Sequence, residues 1–190
     1  LIDITEQFAK EMLPSPNLKN SYTPYTLVRL FADEIPELPD KILYLDTDTM
    51  AHGSIAPIFD TDITDYEYAG VIDYLGKVFI RYNYINAGVL YLNLAKIRET
   101  GLFQKARVRC RDKKMAFPDQ TALNFLAKKK KFLPVKYNEQ RKFRKDTVIQ
   151  HFCKPIRWLP FFHTVNYKPW NIQGLHEVYH LYEYDDILEE

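Results

Sequence analysis

The hydrophobic and polar positions of this chain alternate between strand-like and helix-like segments. Short apolar runs predict four β-strands, at residues 42–45, 69–72, 89–94 and 147–152. Apolar residues at helical spacing predict helices at residues 24–32, 95–111 and 119–127. Pro24 suits the first position of the first helix, and Gly101 marks an interruption in the second. Strands that alternate with helices favour an α/β domain built on a largely parallel sheet.

Polar side chains follow the predicted strands. Asp46 and Asp48 come directly after the first strand and flank one residue, so on an extended chain their carboxylates point the same way. Asp73 follows the second strand, and His151 lies near the end of the last one. Ligand sites of α/β sheets lie at the carboxyl ends of strands. The paired carboxylates invite Mn²⁺ or Mg²⁺, although Asp-x-Asp alone is also typical of a solvated turn.

Composition narrows the classes of function. The 190 residues are enough for one domain with a sizeable core, and a net charge of +1 argues against a dedicated nucleic-acid binder. Basic residues dominate positions 105–145 and the tail is acidic, which indicates either two solvated faces or attraction to an anionic lipid or polymer. Cys110 and Cys153 form neither a metal-type spacing nor a disulfide framework, so we expect a reducing, cytoplasmic setting with at most peripheral membrane contact.

Five short segments between residues 25 and 170 occur in a distinctive order. They are Leu-Tyr-Leu-Asp-Thr-Asp at 43–48, Asn-Ala-Gly-Val-Leu-Tyr-Leu-Asn-Leu at 86–94, Asp-Gln-Thr-Ala-Leu-Asn at 119–124, His-Phe at 151–152 and Lys-Pro-Trp at 168–170. Together, and in this order, they resemble the motifs of the family 8 retaining glycosyltransferases, which include bacterial lipopolysaccharide galactosyl- and glucosyltransferases and glycogenin. The resemblance implies an α/β, GT-A type nucleotide-sugar-binding domain with a mixed, mainly parallel central sheet. It also implies a UDP-hexose donor, a glycan or lipid-linked glycan acceptor, Mn²⁺ or Mg²⁺, and retention of the anomeric configuration.

The resemblance gives individual residues roles. Expected metal ligands are Asp46, Asp48 and His151. Residues expected to bind the donor are Arg29, Asp73, Asn86, Ala87, Gly88 and Lys168. Asp119 and Gln120 are the predicted catalytic residues, which would hold the hydroxyls of the donor sugar near its reacting carbon. Asp119 after Pro118 would also serve as a helix N-cap.

Two points of the chemistry stay open. The segment between His151 and Lys168 is longer than in the bacterial pattern, so Arg157 is an alternative to Lys168 as the phosphate ligand. Retention can follow a same-face displacement or a double displacement through a protein nucleophile. We favour the same-face route because Gln120 would be a poor nucleophile.

We expect residues 1–190 to form one catalytic domain that is truncated at its amino terminus, because the family's first strand and base-binding turn find no match. The sheet edge left by that truncation would invite pairing with another chain, so a homo-oligomer is expected. A phosphohydrolase of the haloacid-dehalogenase type is disfavoured because Met50 occupies the position of its Thr or Val. A non-catalytic module that binds a sugar nucleotide or a partner is the alternative function. The pattern distinguishes neither glucose from galactose nor one acceptor from another.

Overall fold

The computed structural model describes residues 2–19, 24–153, 168–182 and 185, with backbone only for 156–157, 163–164 and 178–179. The chain divides into two compact units. The first combines Leu1–Tyr44 with Asp62–Phe132, and the second combines Leu45–Thr61 with Leu133–Glu190. One catalytic domain can contain two such units, so the single domain over residues 1–190 stays a prediction.

The elements along the described chain are short. The helices are α1 Thr5–Met12, α2 Ala56–Phe59, α3 Gly76–Phe79, α4 Leu94–Thr100, α5 Leu102–Asp112, α6 Pro118–Leu126 and α7 Ile172–Gly174, the last continued by a π-helix at Leu175–Tyr179. Three 3₁₀ helices lie at Pro16–Lys19, Pro24–Glu34 and Val135–Tyr137. The strands are β1 Lys41–Leu45, β2 Thr49–Ala51, β3 Tyr68–Ile72, β4 Ile85–Asn93, β5 Lys130–Phe132, β6 Ile149–His151, β7 Ile156–Arg157 and β8 His163–Thr164.

The first unit contains a four-stranded sheet in the order β1-β4-β3-β5. This sheet is mixed, as predicted, but the expectation of a mainly parallel sheet is corrected: β3 runs antiparallel to β4 and parallel to β5. Between β3 and β4 the chain contains only the four-residue helix α3, and it turns back beside β3, where the backbone N–H of Asp73 donates to the carbonyl oxygen of Tyr84 at 2.8 Å. The parallel pairing with β5 follows only after the excursion through α4, α5 and α6.

The core of the first unit explains the long predicted strand and the broken helix. All nine residues of β4 are buried, which is why its apolar run is nearly continuous. Helices α5 and α6 pack against the 3₁₀ helix Pro24–Glu34, which replaces the α-helix predicted at 24–32. The interruption predicted at Gly101 is confirmed: this residue has φ of 66° between α4 and α5, a left-handed conformation that glycine adopts at little cost.

Arg107 on α5 fixes the end of that 3₁₀ helix. Its side chain is 2% exposed, and it donates to Asp33 Oδ1 at 2.6 Å, to Glu34, and to Glu11 Oε2 on α1 at 2.9 Å. A buried guanidinium is tolerated only when its charge and its donors are matched, and three carboxylates provide that match here.

Helix α1, strand β2 and strand β5 were not predicted from the sequence.

The second unit is built around a two-stranded antiparallel pairing of β2 with β6. In its register Thr49 lies opposite His151, and Ala51 lies opposite Ile149. Strands β7 and β8 form a second antiparallel pair. No helix among the described residues combines the length and the apolar character needed to cross a membrane.

Candidate functional site

Asp46, Asp48 and His151 converge in the second unit. Each offers one ligand atom, and these atoms all lie within 4.8 Å of one another. Both aspartates are partly buried, and His151 is buried. These three are the residues that the sequence predicted as metal ligands.

Strand register brings the three together. Because β2 pairs with β6, His151 lies beside Thr49, one residue after Asp48. The backbone N–H of Phe152 donates to the carbonyl oxygen of Asp48 at 2.9 Å and extends this pairing. A turn holds Asp46, whose carbonyl oxygen accepts from the backbone N–H of Thr49 at 3.2 Å and from its hydroxyl at 2.7 Å.

Charge is tightly balanced within this cluster. Nε2 of His151 lies 3.2 Å from Asp48 Oδ1 and 3.9 Å from Asp46 Oδ2. The ammonium of Lys168 donates to the other Asp48 oxygen, and to the carbonyl oxygen of Phe152 at 2.8 Å. Burial alone raises the pKa of Asp48, but hydrogen bonds from His151 and Lys168 outweigh it and lower that pKa to about 2.

The protonation of His151 follows from the same contacts. Burial by itself lowers the pKa of the imidazole, but the neighbouring Cys153 sulfur and Asp48 carboxylate raise it to about 10. At neutral pH the imidazole of the metal-free protein is therefore positively charged. Its Nε2–H faces Asp48, so a cation held by these residues would have to displace that proton.

Asn138 orients the imidazole and was not found from the sequence. Its Oδ1 lies 3.2 Å from Nδ1 of His151, the same nitrogen that lies 3.1 Å from the Cys153 sulfur, and Asn138 is completely buried. With Nδ1–H donating to this oxygen, Nε2 becomes the nitrogen that faces the aspartates. No sequence signal points to Asn138, because it lies 13 residues before His151 in an irregular segment.

The donor set fits a divalent cation. Two carboxylates and one imidazole provide a mixed oxygen and nitrogen set that suits Mn²⁺. The oriented Nδ1–H gives the second-layer hydrogen bond that metal-binding histidines usually have. Lys168 lies at this cluster, whereas the side chain of Arg157, the alternative phosphate ligand, lies outside the described residues.

A separate polar cluster in the first unit centres on Asp73. Its Oδ2 accepts from Asn86 Nδ2 at 2.9 Å and from Gln120 Nε2 at 3.2 Å. Its Oδ1 accepts from the backbone N–H groups of Leu75 at 3.0 Å and Gly76 at 2.6 Å. These four hydrogen bonds match the roughly four acceptor positions of a carboxylate. Asp73 therefore joins the end of β3 to the start of α3, to β4 and to α6.

Asn-Ala-Gly at 86–88 lies at an irregularity of β4. Regular pairing with β3 ends at Leu90 and resumes at Ile85, with a register shift between them. Two side chains accept the backbone N–H groups of this stretch: Gln120 Oε1 binds Ala87 N at 2.9 Å, and Asn86 Oδ1 binds Gly88 N at 2.9 Å. Both ends of the Gln120 amide are thus engaged by the protein.

Arg29 and Asp119 form an ion pair. Nε of Arg29 lies 3.2 Å from Asp119 Oδ2, and the two side chains are 3% and 10% exposed. The guanidinium also donates to the carbonyl oxygen of Ala87 and stacks over the ring of Tyr44, 4.5 Å from its centroid. The N-cap interpretation of Asp119 is corrected, because Phe117 is the N-cap of α6 and has no side-chain cap. Asp119 lies instead in the first turn and pairs with the arginine.

Asn124 completes the contact between α6 and β4. Its Oδ1 accepts from the backbone N–H of Ile85, and its Nδ2 donates to the carbonyl oxygen of Ile85, both at 2.7 Å. Nδ2 also donates to the carbonyl oxygen of Gln120 at 2.8 Å, and Lys130 Nζ donates to Oδ1 at 2.7 Å. The sequence marked Asn124 as part of a segment, and its structural role emerges only from these contacts.

The predicted site residues therefore fall into two groups. The second unit brings together Asp46, Asp48, His151 and Lys168. The first unit brings together Arg29, Asp73, Asn86, Ala87, Gly88, Asp119 and Gln120. The individual roles of these residues with a donor stay predictions.

Comparisons with known proteins identify the family of this chain. Residues 2–174 match the family described as glycosyl transferase family 8. A lipopolysaccharide 1,2-glucosyltransferase of Escherichia coli is 31% identical in an alignment of length 162, which covers 75% of this chain and 48% of that protein. A lipopolysaccharide 1,3-galactosyltransferase of Salmonella typhimurium is 28% identical in an alignment of length 184, which covers 86% of this chain and 54% of that protein. The chain thus spans about half the length of these relatives.

Solved structures show the same fold. The galactosyltransferase LgtC, in complex with donor and acceptor sugar analogs, is similar with a TM-score of 0.64 at 22% identity, over 94% of this chain and 74% of that one. The glycosyltransferase GlyE of Streptococcus pneumoniae gives a TM-score of 0.60 at 22% identity, over 85% of this chain and 44% of that one. At these identities the similarity shows the fold alone, which is the predicted GT-A fold.

Proposed function

The chain belongs to glycosyl transferase family 8, and from this premise we propose that it transfers glucose or galactose from a UDP-hexose to a glycan acceptor. The convergence of Asp46, Asp48 and His151 within 4.8 Å carries the proposal. The named activities of the lipopolysaccharide glucosyl- and galactosyltransferase relatives support a lipopolysaccharide-type acceptor. The stereochemical outcome, retention of configuration at the anomeric carbon, is what the family resemblance implies.

The second unit supplies the groups for the diphosphate. Mn²⁺ held by Asp46, Asp48 and His151 would act as a Lewis acid on the departing phosphate oxygens. Asn138 keeps Nε2 of His151 directed at the carboxylates, 3.2 Å from Asp48. Lys168 already neutralises Asp48 and would supply a positive charge for a phosphate oxygen as negative charge develops.

The family resemblance assigns the hexose to the residues around Asp73. Asn86 and Gln120 carry amide groups of the kind that bind sugar hydroxyls, and a hydroxyl that binds either amide must replace one of its present partners. A hydroxyl that binds Asp73 must replace one of its four present donors. This pre-arranged network favours a positioning role for the cluster, in which orientation of the reactants supplies much of the rate.

The contacts of the predicted catalytic residues support the same-face route. Gln120 uses its oxygen for Ala87 and its nitrogen for Asp73. Asp119 is buried and paired with Arg29, so its negative charge is already neutralised. Neither side chain is arranged as a free nucleophile, and in a same-face displacement the leaving phosphate would take the proton of the acceptor.

A calorimetric titration of UDP into the chain, with and without Mn²⁺, tests the proposal. We expect binding only with Mn²⁺, and its loss in Asp48→Asn. Asp60→Asn, at an exposed position of the same unit, is the matched control and should bind like the wild type. Full Mn²⁺-dependent affinity in Asp48→Asn would contradict the metal assignment.

Turnover separates the enzyme from the alternative, a non-catalytic binding module. UDP release from UDP-glucose and UDP-galactose is measured with Mn²⁺, with and without a lipopolysaccharide core acceptor. UDP release that depends on both Asp48 and the acceptor supports transfer, because release without acceptor is hydrolysis of the donor, and the preferred donor identifies the hexose. Mn²⁺-dependent UDP binding without release from either donor would support the binding module instead.

A further inference from the structure

Residues 77–82 form an unusually apolar part of the surface. Val78 is 68% exposed, Phe79 is 67% exposed and Tyr82 is 78% exposed, and Ile80 beside them is 39% exposed. Adjacent large apolar side chains at such exposure are costly in water, and they mark surfaces that contact a partner or a membrane. None of these side chains has a role in the metal cluster or the Asp73 cluster.

The segment is held firmly at its base. The backbone N–H of Asp73 donates to the carbonyl oxygen of Tyr84 at 2.8 Å, which closes the loop. Gly76 lies so close to the buried Tyr84 that a Cβ there would be 2.3 Å from the ring. The exposed side chains therefore project from a fixed base, so little conformational entropy is lost when they bind a surface.

Positive charge accompanies the apolar side chains. Residues 74–84 contain Lys77 and Arg81 and no acidic residue. The guanidinium of Arg81 lies 5.8 Å from the ring centroid of Phe125, and that of Arg109 lies 5.9 Å from the same centroid. Phe125 is itself 45% exposed and extends the apolar surface onto α6. We call residues 77–82 together with Phe125 and Arg109 the basic-aromatic patch.

We propose that the basic-aromatic patch docks the chain onto the surface of a membrane that contains anionic lipid. Exposed aromatic and aliphatic side chains enter the boundary between headgroups and acyl chains, while arginine and lysine reach the lipid phosphates. The complementary charge favours this occupant over a second copy of the chain, since two such patches would bring like charges together.

Flotation with lipid vesicles tests the docking. The chain is mixed with vesicles of pure phosphatidylcholine or with vesicles that also contain the anionic lipid phosphatidylglycerol. We expect binding to the anionic vesicles that weakens in high salt, because surface charge is screened. Arg81→Gln should weaken it about fivefold, the effect of roughly one cation near an anionic surface. The double substitution Val78→Ser/Phe79→Ser should weaken it at least about tenfold.

Matched controls lie elsewhere in the same unit. Leu13 is 70% exposed at the end of α1, and Lys10 is an exposed lysine of that helix. Leu13→Ser and Lys10→Gln should bind vesicles like the wild type, and circular dichroism verifies that every variant folds. Equal loss in the control and patch variants, or no binding to anionic vesicles by the folded wild type, would overturn the proposal.

Sedimentation velocity without lipid addresses the competing occupant. A wild-type dimer that Val78→Ser/Phe79→Ser converts to a monomer would show that the patch binds a second copy, and this too would overturn membrane docking. Tyr82→Trp adds a direct readout. Its added fluorescence should shift to shorter wavelength with anionic vesicles and be quenched by brominated acyl chains, which a loss of fold would not produce.

Discussion

Replacement of Asn124 by aspartate is a sharp test of how α6 holds the start of β4. The change keeps the shape of the side chain and the Oδ1 that accepts from Ile85 N and Lys130. It removes Nδ2, which donates to the carbonyl oxygens of Ile85 at 2.7 Å and Gln120 at 2.8 Å. Two carbonyl oxygens would then face a carboxylate oxygen in a site where Asn124 is 3% exposed.

The expected cost is large. Two buried carbonyl oxygens lose a donor, at about 1–3 kcal/mol each, and a carboxylate is buried beside them, part of which Lys130 offsets. We expect Asn124→Asp to lower the free energy of unfolding by about 3–5 kcal/mol at pH 7, a large part of the total stability of a typical domain. Asn124→Ala should cost about 2–4 kcal/mol.

The dependence on pH separates the two variants. Burial beside carbonyl oxygens raises the pKa of the introduced carboxyl in the folded state. The part of the penalty that comes from ionisation is therefore full above the folded pKa, shrinks as the pH falls, and is absent below the pKa of the unfolded chain. The single O–H of the neutral acid restores only one of the two lost hydrogen bonds, so a smaller cost remains at low pH. Asn124→Ala introduces no titrating group, so the unfolding free energy that it loses relative to the wild type should be the same at pH 7 and at pH 4.5.

Urea unfolding followed by circular dichroism at pH 7 and pH 4.5 measures both effects. The reasoning is refuted if Asn124→Asp unfolds within about 0.5 kcal/mol of the wild type at pH 7, an ordinary value for a surface substitution. It is also refuted if its destabilisation does not shrink at pH 4.5 relative to that of Asn124→Ala.

Three further predictions concern the metal cluster and the base of the patch. Because the pKa of His151 is about 10, Mn²⁺ must displace a proton from the imidazole when it binds. The affinity for Mn²⁺ should therefore rise about tenfold per pH unit between pH 6.5 and 8.5. A Mn²⁺ affinity that calorimetry finds independent of pH in this range contradicts the prediction. Asn138→Ala should weaken Mn²⁺ binding about 10–100-fold, whereas Asn138→Asp keeps the acceptor and should retain most of it; equal losses would remove the orienting role. Gly76→Ala should destabilise the fold by about 1–3 kcal/mol in urea unfolding, because its Cβ would lie 2.3 Å from the Tyr84 ring, and Gly53→Ala, where the nearest atom is 3.9 Å away, should be close to neutral.

Local rules made part of the fold readable from the sequence. The break at Gly101 was predicted because a left-handed residue between two helices favours glycine. Strand β4 was predicted because a strand buried on both faces has a continuous apolar run. The convergence of Asp46, Asp48 and His151 was predicted because two aspartates after a strand, followed much later by a histidine, form an ordered pattern that a family resemblance can recognise.

Other features depend on contacts between distant segments. The antiparallel direction of β4 beside β3 depends on how the connecting loop returns, which an apolar run does not encode. Asp119 had the position of an N-cap, and the approach of Arg29 from the 3₁₀ helix decided its partner. Asn138 gave no signal at all, because its effect on His151 requires both residues to be in place.

The sequence by itself thus determined which residues are candidates for the chemistry, since side-chain identity and spacing are local properties. Tertiary structure decided what those residues contact: which oxygen Gln120 binds, which nitrogen of His151 faces the aspartates, and which apolar side chains remain at the surface near Arg81. Hydrogen bonds, pKa values and exposure arise from the distances between segments far apart in the chain, and those distances exist only after the chain has folded.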